Sequence, residues 1–180
     1  TTEKMNCKIL WLTGLSGSGK TTLANCLKKK LLKLRFKVKI VDGDQFRSKN
    51  KNKNNFTKKN IYLNNLAIIK NIFIISKNYD YIIASVISPL LKSRLKAKKI
   101  FKENYKEIHI KCSLKELIRR DTKNLYKLAK EKKIKNLIGF NSKINYEKSQ
   151  YKKIIIDTQK NTIALSTKKI LKSIFKYEKV

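Results

Sequence analysis

The sequence predicts an α/β fold: a central, mostly parallel five-stranded sheet flanked by helices, with a lid insertion before the last strand. Three observations predict it. Short apolar runs alternate with amphipathic stretches along all 180 residues, which is the rhythm of strand–helix units rather than of hairpins. The first run, Ile9-Leu10-Trp11-Leu12-Thr13, feeds Gly14-Leu15-Ser16-Gly17-Ser18-Gly19-Lys20-Thr21 and then a helix-like segment. That is a Gly-x-x-x-x-Gly-Lys-Thr loop in its strand-to-helix context. Finally, 126–151 is poor in strand pattern and precedes the last apolar run.

The apolar runs place strands over 8–13, 37–41, 81–85, 107–111 and 153–157. Each is short and apolar enough for burial on both faces, as in a parallel sheet. Helical periodicity places helices over 21–34, 61–76, 91–101, 114–120 and 162–175, with Ile163, Leu171, Ile174 and Phe175 as the apolar stripe of the last. Segment 47–59 is polar, without glycine or periodicity, and reads as a mobile loop. A short basic helix over 126–133 and a following loop make up the insertion, with the lid region spanning about 119–151. One domain over 1–180 holds a single core, with no internal repeat.

The loop over 14–21 carries the first chemistry. Glycines let the backbone wrap a triphosphate with its N–H groups inward, and the following helix adds its positive end. Gly14, Leu15, Ser16, Gly17, Ser18, Gly19, Lys20, Thr21 and Thr22 therefore form the candidate nucleoside triphosphate site. Lys20 is placed to reach the β- and γ-phosphates, and the Thr21 hydroxyl to ligate Mg²⁺.

In a parallel sheet the residues just beyond the strands are the functional candidates. After the second strand come Asp42-Gly43-Asp44 and Arg47. A carboxylate there can accept an alcohol proton during phosphoryl transfer, and an arginine can bind a phosphate or sulfate of the acceptor in bidentate fashion. After the third come Ile87-Ser88-Pro89, where Ser88 either binds substrate or caps the next helix. Arg94 and Lys98 on that helix are equally consistent with solvated surface and with phosphate binding. Arg119 and Arg120 open the lid and are suited to charge developing on a transferred phosphoryl group.

Composition limits the remaining classes. The net charge is +33, from 45 Lys+Arg against 12 Asp+Glu. The excess is lysine, spread along the chain beside abundant asparagine and isoleucine, the set that AT-rich codons favour. Nucleic-acid contact is accordingly expected to be non-specific and salt-sensitive. Three dispersed cysteines, Cys7, Cys26 and Cys112, and a single histidine leave no material for a zinc site or a Cys–His nucleophile. Reduced thiols and the lack of a membrane-spanning run or leader place the expectation in the cytoplasm. A chain starting at Thr1 is expected of a processed protein or of a domain from a longer polypeptide.

In this order, the motifs resemble the adenylylsulfate kinases, over about 9–158. The resemblance rests on the loop with Trp11-Leu12-Thr13 before it and Leu23-Ala24-Asn25 after it, Asp42-Gly43-Asp44 with Arg47, Asn60-Ile61, Ile87-Ser88-Pro89, Arg120-Asp121, Lys123 with Leu125-Tyr126-Lys127, Gly139 and Ile156-Asp157-Thr158. It implies a three-layer P-loop nucleotide kinase fold and transfer of the ATP γ-phosphate to the 3′-hydroxyl of adenosine 5′-phosphosulfate. It also implies Asp42, Lys20 and Ser88 as the catalytic set, with Asp42 facing the 3′-hydroxyl, and makes the triphosphate site over 14–22 an ATP site, with Arg120 on ATP. Asp42, Asp44, Arg47, Asn60, Ile87, Ser88, Lys123 and Leu137 would then bind the acceptor. The family carries a phosphoserine intermediate at the Ser88 position, but in-line transfer needs no covalent step, so binding is the simpler role. A homodimer and a fused or associated sulfate adenylyltransferase complete the expectation.

This chain departs from the family pattern at Thr57 and Leu91, where arginines are usual. It departs again at Leu137, where a phenylalanine packs on the acceptor adenine, at Ile138, where threonine is usual, and at Asn141, where aspartate is usual. Two other readings use the same loop: a small P-loop kinase with another nucleotide or sugar acceptor, and an ATP-binding protein associated with nucleic acid.

Overall fold

The computed structural model describes residues 5–48, 57–151 and 153–175. Strand β1 (Lys8–Thr13) leads into helix α1 (Lys20–Lys33), and β2 (Val38–Asp42) into α2 (Gly43–Ser48) and α3 (Lys58–Ile75). They are followed by β3 (Tyr81–Ser85), α4 (Leu91–Phe101), β4 (Tyr105–Lys111), α5 (Leu114–Arg120), α6 (Leu125–Lys130), β5 (Ile154–Asp157) and α7 (Ile163–Phe175). The five strands lie in the order β2-β3-β1-β4-β5, and every neighbouring pair is parallel.

Strand alternation builds the layers. Leu10 and Leu12 of β1 face one core with Leu23, Leu27 and Leu31 of α1 and Ile170 and Ile174 of α7. Ile9 and Trp11 face the other, with Ile68, Ile69 and Ile72 of α3 and Ala97 and Phe101 of α4. These side chains are almost wholly buried. This is the three-layer P-loop kinase architecture that the resemblance implied. The sequence reverses direction across the sheet at β1, so the crevice beyond its carboxyl end is where a ligand site belongs.

Three of the boundary differences from expectation bear on the site. The second strand runs one residue further, so Asp42 ends it. Both ends of the loop expected over 47–59 are helical, with α2 running through Arg47 to Ser48 and α3 opening at Lys58, while 49–56 lie outside the described residues. Helix α2 escaped periodicity because six residues are too few to show it. Asp42 starts it, its Oδ1 accepting the amides of Asp44 at 2.9 Å and Gln45 at 3.2 Å. The basic lid helix is Leu125–Lys130 rather than 126–133.

Thr57 occupies one of the expected arginine positions. Here it caps α3, accepting the Asn60 amide at 3.2 Å. Among the described residues no helix is long and apolar enough to cross a membrane, and the three cysteines are free.

Candidate active site

The phosphate loop is shaped by packing against the end of β4. Gly14 has φ 152°, and a Cβ there would lie 2.4 Å from the Ile110 carbonyl oxygen, so no side chain fits. The lid packs on the same loop. Leu15 points into the lid's apolar cluster with Leu117, Tyr126, Ala129 and Leu137, and the Tyr126 hydroxyl donates to the Ser16 carbonyl at 2.9 Å. Gly139 (φ 83°) lies so close that an added Cβ would sit 2.8 Å from the Leu15 methyl groups.

The loop borders a cleft of about 230 Å³. Of the predicted residues, Ser16, Gly17, Gly19, Lys20, Thr21 and Thr22 line its donor side; Asp42, Asp44, Ile87, Arg120 and Lys123 line the rest. Lys20 is buried and its Nζ donates to the carbonyls of Gly14 at 2.9 Å and Leu15 at 2.8 Å. Burial pushes its pKa down to about 8, against the opposing pull of Asp44 and Asp42.

Thr21 Oγ1 donates to Asp42 Oδ2 at 3.3 Å and lies 3.4 Å from Ser85 Oγ. With its proton directed at Asp42, the hydroxyl keeps a lone pair for a cation. The neighbouring oxygens are hard donors, which suits Mg²⁺. Among the described residues no cluster of three or more His, Cys, Asp or Glu is present. A cation here would therefore take most of its shell from phosphate and water, as Mg²⁺ prefers.

Lys123 Nζ reaches across from the lid to Asp44 Oδ2 at 2.6 Å. Burial pushes the Asp44 carboxyl up, but the Lys123 hydrogen bond and charge, with Arg47 and Lys20 beyond, outweigh it and leave the pKa below its ordinary value. The two lid arginines separate. Arg120 lines the cleft, donating to Glu116 Oε1 at 2.7 Å and to the Thr158 carbonyl at 2.9 Å. Arg119 is exposed and paired with Glu116.

Several predicted residues are not brought to the cleft lining. Gly14, against the Ile110 carbonyl, and the buried Ser18 belong to the loop without bordering the cleft, and Leu15 turns to the lid. Arg47 and Asn60 lie half-buried at the end of α2 and the start of α3. Leu137 packs inside the lid cluster. Asn141 braces that turn, accepting the Leu137 amide at 2.8 Å and donating to the Ile134 carbonyl at 2.6 Å. The second bond needs a donor, which an ionised aspartate lacks.

Ser88 is 1% exposed with φ 43°, and its Oγ has no partner among the described residues. Nor does it cap α4: the Leu91 amide is taken by Glu147 Oε2 at 2.6 Å. The sequence reading missed Ser85, Thr158, Asn161, Ile163 and Ser166, all of which line the cleft. Most follow β5, and the rule that ligands sit beyond strand ends was the signal for them. It also left Arg94 open between surface and ligand, whereas the structure buries it completely.

Known proteins resemble this chain in sequence and in fold. The family model described as adenylylsulphate kinase matches residues 6–157. A probable adenylyl-sulfate kinase of Archaeoglobus fulgidus is 35% identical over 153 residues, 85% of this chain and 97% of that protein. An adenylyl-sulfate kinase of Clostridium acetobutylicum is 33% identical, covering 88% and 78% of the two chains. In fold, the chain is similar to the Mycobacterium tuberculosis APS kinase solved in complex with AMPPNP and APS. The TM-score is 0.85 at 24% identity, over 94% of this chain and 98% of that one. With a family model spanning most of its length and relatives above 30% identity on both sides of the match, this chain belongs to the adenylylsulfate kinase family.

Proposed function

We propose that the chain transfers the γ-phosphoryl group of ATP to the 3′-hydroxyl of adenosine 5′-phosphosulfate, giving 3′-phosphoadenylyl sulfate and ADP. The observation that carries this reading is the meeting of Asp42 with the phosphate loop in one cleft, 3.3 Å from Thr21 Oγ1. A carboxylate so placed stands beside the site of the γ-phosphate, where an attacking hydroxyl must give up its proton. As the new O–P bond forms and the bond to the ADP oxygen breaks, Asp42 takes the hydroxyl proton. Lys20 and Arg120 offset the charge on the phosphoryl and leaving oxygens. Thr21 would hold Mg²⁺, which would supply further neutralisation of phosphate charge.

Asp44, Lys123 and the Ile87–Ser88 backbone would hold the acceptor, with Arg47 and Asn60 reaching it from α2 and α3. Ser88 is assigned this binding role and no covalent one. A homodimer, an associated sulfate adenylyltransferase and a cytoplasmic setting belong to the same proposal. The test is ADP release measured with adenosine 5′-phosphosulfate, with adenylate and with no acceptor. Turnover is expected with the first alone, and equal turnover without acceptor overturns the reading.

The depressed Lys20 pKa has a sign that can be checked. Above about pH 8 the free protein holds Lys20 mostly neutral. A bound triphosphate favours the charged form, so binding takes up a proton between pH 8 and the ordinary lysine value. ATP affinity is expected to fall as pH rises through about 8. Calorimetric titration at pH 8.5, about half a unit above that value, in two buffers of different ionisation enthalpy should show the uptake. Identical heats would contradict it.

A further inference from the structure

We propose that Arg94 is a positioning residue for the acceptor side of the cleft, locking the turn after β3 and the segment returning from the lid into one unit. The inference rests on the acceptor assignment above. Arg94 and Glu107 are both fully buried, with Nε and Oε2 3.4 Å apart. From this anchor the guanidinium reaches two separate segments. Its Nη1 donates to the Ser88 carbonyl at 2.6 Å, and its Nη2 to the Glu147 carbonyl. Ser149 Oγ lies 3.4 Å from both Nε and Nη2 and donates on to Glu107 Oε1 at 2.5 Å. A planar fork with donors in fixed directions can make these bonds together; a lysine cannot.

A second chain of bonds fixes the same turn from the other side. The Ile87 carbonyl can only accept, so Thr13 Oγ1 donates to it at 2.6 Å. Thr13 must then accept from the Tyr146 hydroxyl at 3.0 Å. Tyr146 in turn accepts from His109 Nδ1 at 3.1 Å, which settles the tautomer with hydrogen on Nδ1. The Glu147 amide donates to the Pro89 carbonyl at 2.9 Å. Thus the carbonyls of Ile87, Ser88 and Pro89 are each held, and each is held by a group tied to Arg94 or to the returning segment. Ser88 adopts φ 43°, a conformation serine rarely visits and one that needs such support. The hydrogen bonds and ion pair of Arg94 run to Ser88, Glu147, Ser149 and Glu107, all outside the phosphate loop, so its loss should be felt on one side only.

The test uses Arg94→Lys, which keeps the charge, and Ser149→Ala, which removes one partner and leaves the ion pair. Arg94→Lys is expected to raise KM for the acceptor about tenfold and Ser149→Ala by less, with KM for ATP unchanged. Hydrogen exchange should quicken in 86–91 and 144–149 and stay unchanged in 14–21. A parallel rise in both KM values overturns the proposal, as does exchange that is unaltered in those segments or faster throughout. If the wild-type chain shows no acceptor-dependent turnover, the phosphotransfer reading fails instead, and the exchange pattern alone decides whether Arg94 holds the turn.

Discussion

Replacing Asp42 with asparagine is expected to lower kcat by about 10²- to 10⁴-fold, the range for loss of a general base, with ATP binding nearly unchanged. The reasoning starts from the two oxygens of this side chain. Oδ1 is structural, accepting the amides of Asp44 and Gln45 and starting α2. An asparagine carbonyl oxygen can keep both bonds, so the thermal midpoint should move by no more than a few degrees. Oδ2 is chemical: it faces Thr21 and the cleft. Asparagine puts an amide there that cannot accept the acceptor's proton. Asp42→Ala would remove both functions and lose helix support as well, which makes it the less informative variant. Steady-state kinetics with titration of a non-hydrolysable ATP analogue checks the split. A kcat within tenfold of wild type would remove Asp42 from the role of base.

Lys20→Met should cost about 10²- to 10³-fold in kcat/KM, while the folded protein becomes no less stable. The buried ammonium is held by the Gly14 and Leu15 carbonyls, yet desolvation still depresses its pKa from 10.5 to about 8. A shift of that size means that charging Lys20 costs the folded state roughly 3 kcal/mol at neutral pH, net of the interactions that favour the ammonium. Methionine has a similar volume and no charge to desolvate. The melting temperature is therefore expected to stay or rise as activity collapses, the pattern of a residue retained for its chemistry. Thermal unfolding beside the kinetics tests this. A large fall in melting temperature would mean that the lysine's bonds, not its strain, dominate.

Much of the fold was legible because parallel strands buried on both faces must be short and apolar. Strands 8–13 and 81–85 coincide with β1 and β3, and helices 91–101 and 114–120 with α4 and α5. The phosphate loop was legible for a related reason: its chemistry is carried by contiguous residues, so its spacing survives in one dimension. Asp42 was legible from the rule that strand ends carry function.

Arg94 was not, because Glu107, Glu147 and Ser149 lie on other parts of the chain and no local pattern joins them to it. On a lysine-rich helix its charge was equally consistent with solvated surface and with phosphate binding, and nothing local marked it as buried. One clue stood in β4. Tyr105, Glu107 and His109 share a strand face by alternation, and Glu107 is buried. A carboxylate inside a sheet demands a buried donor.

Leu137 shows the converse. The resemblance put it against the acceptor, but the tight lid turn braced by Asn141 rotates it into the cluster around Tyr126. By itself the sequence determined the layered fold, the phosphate loop and the carboxylate opposite it, since burial periodicity and loop geometry are local properties. Tertiary structure alone decided which charges are buried, which turn they hold and which way the lid residues point. Those depend on partners brought together only when the chain has closed.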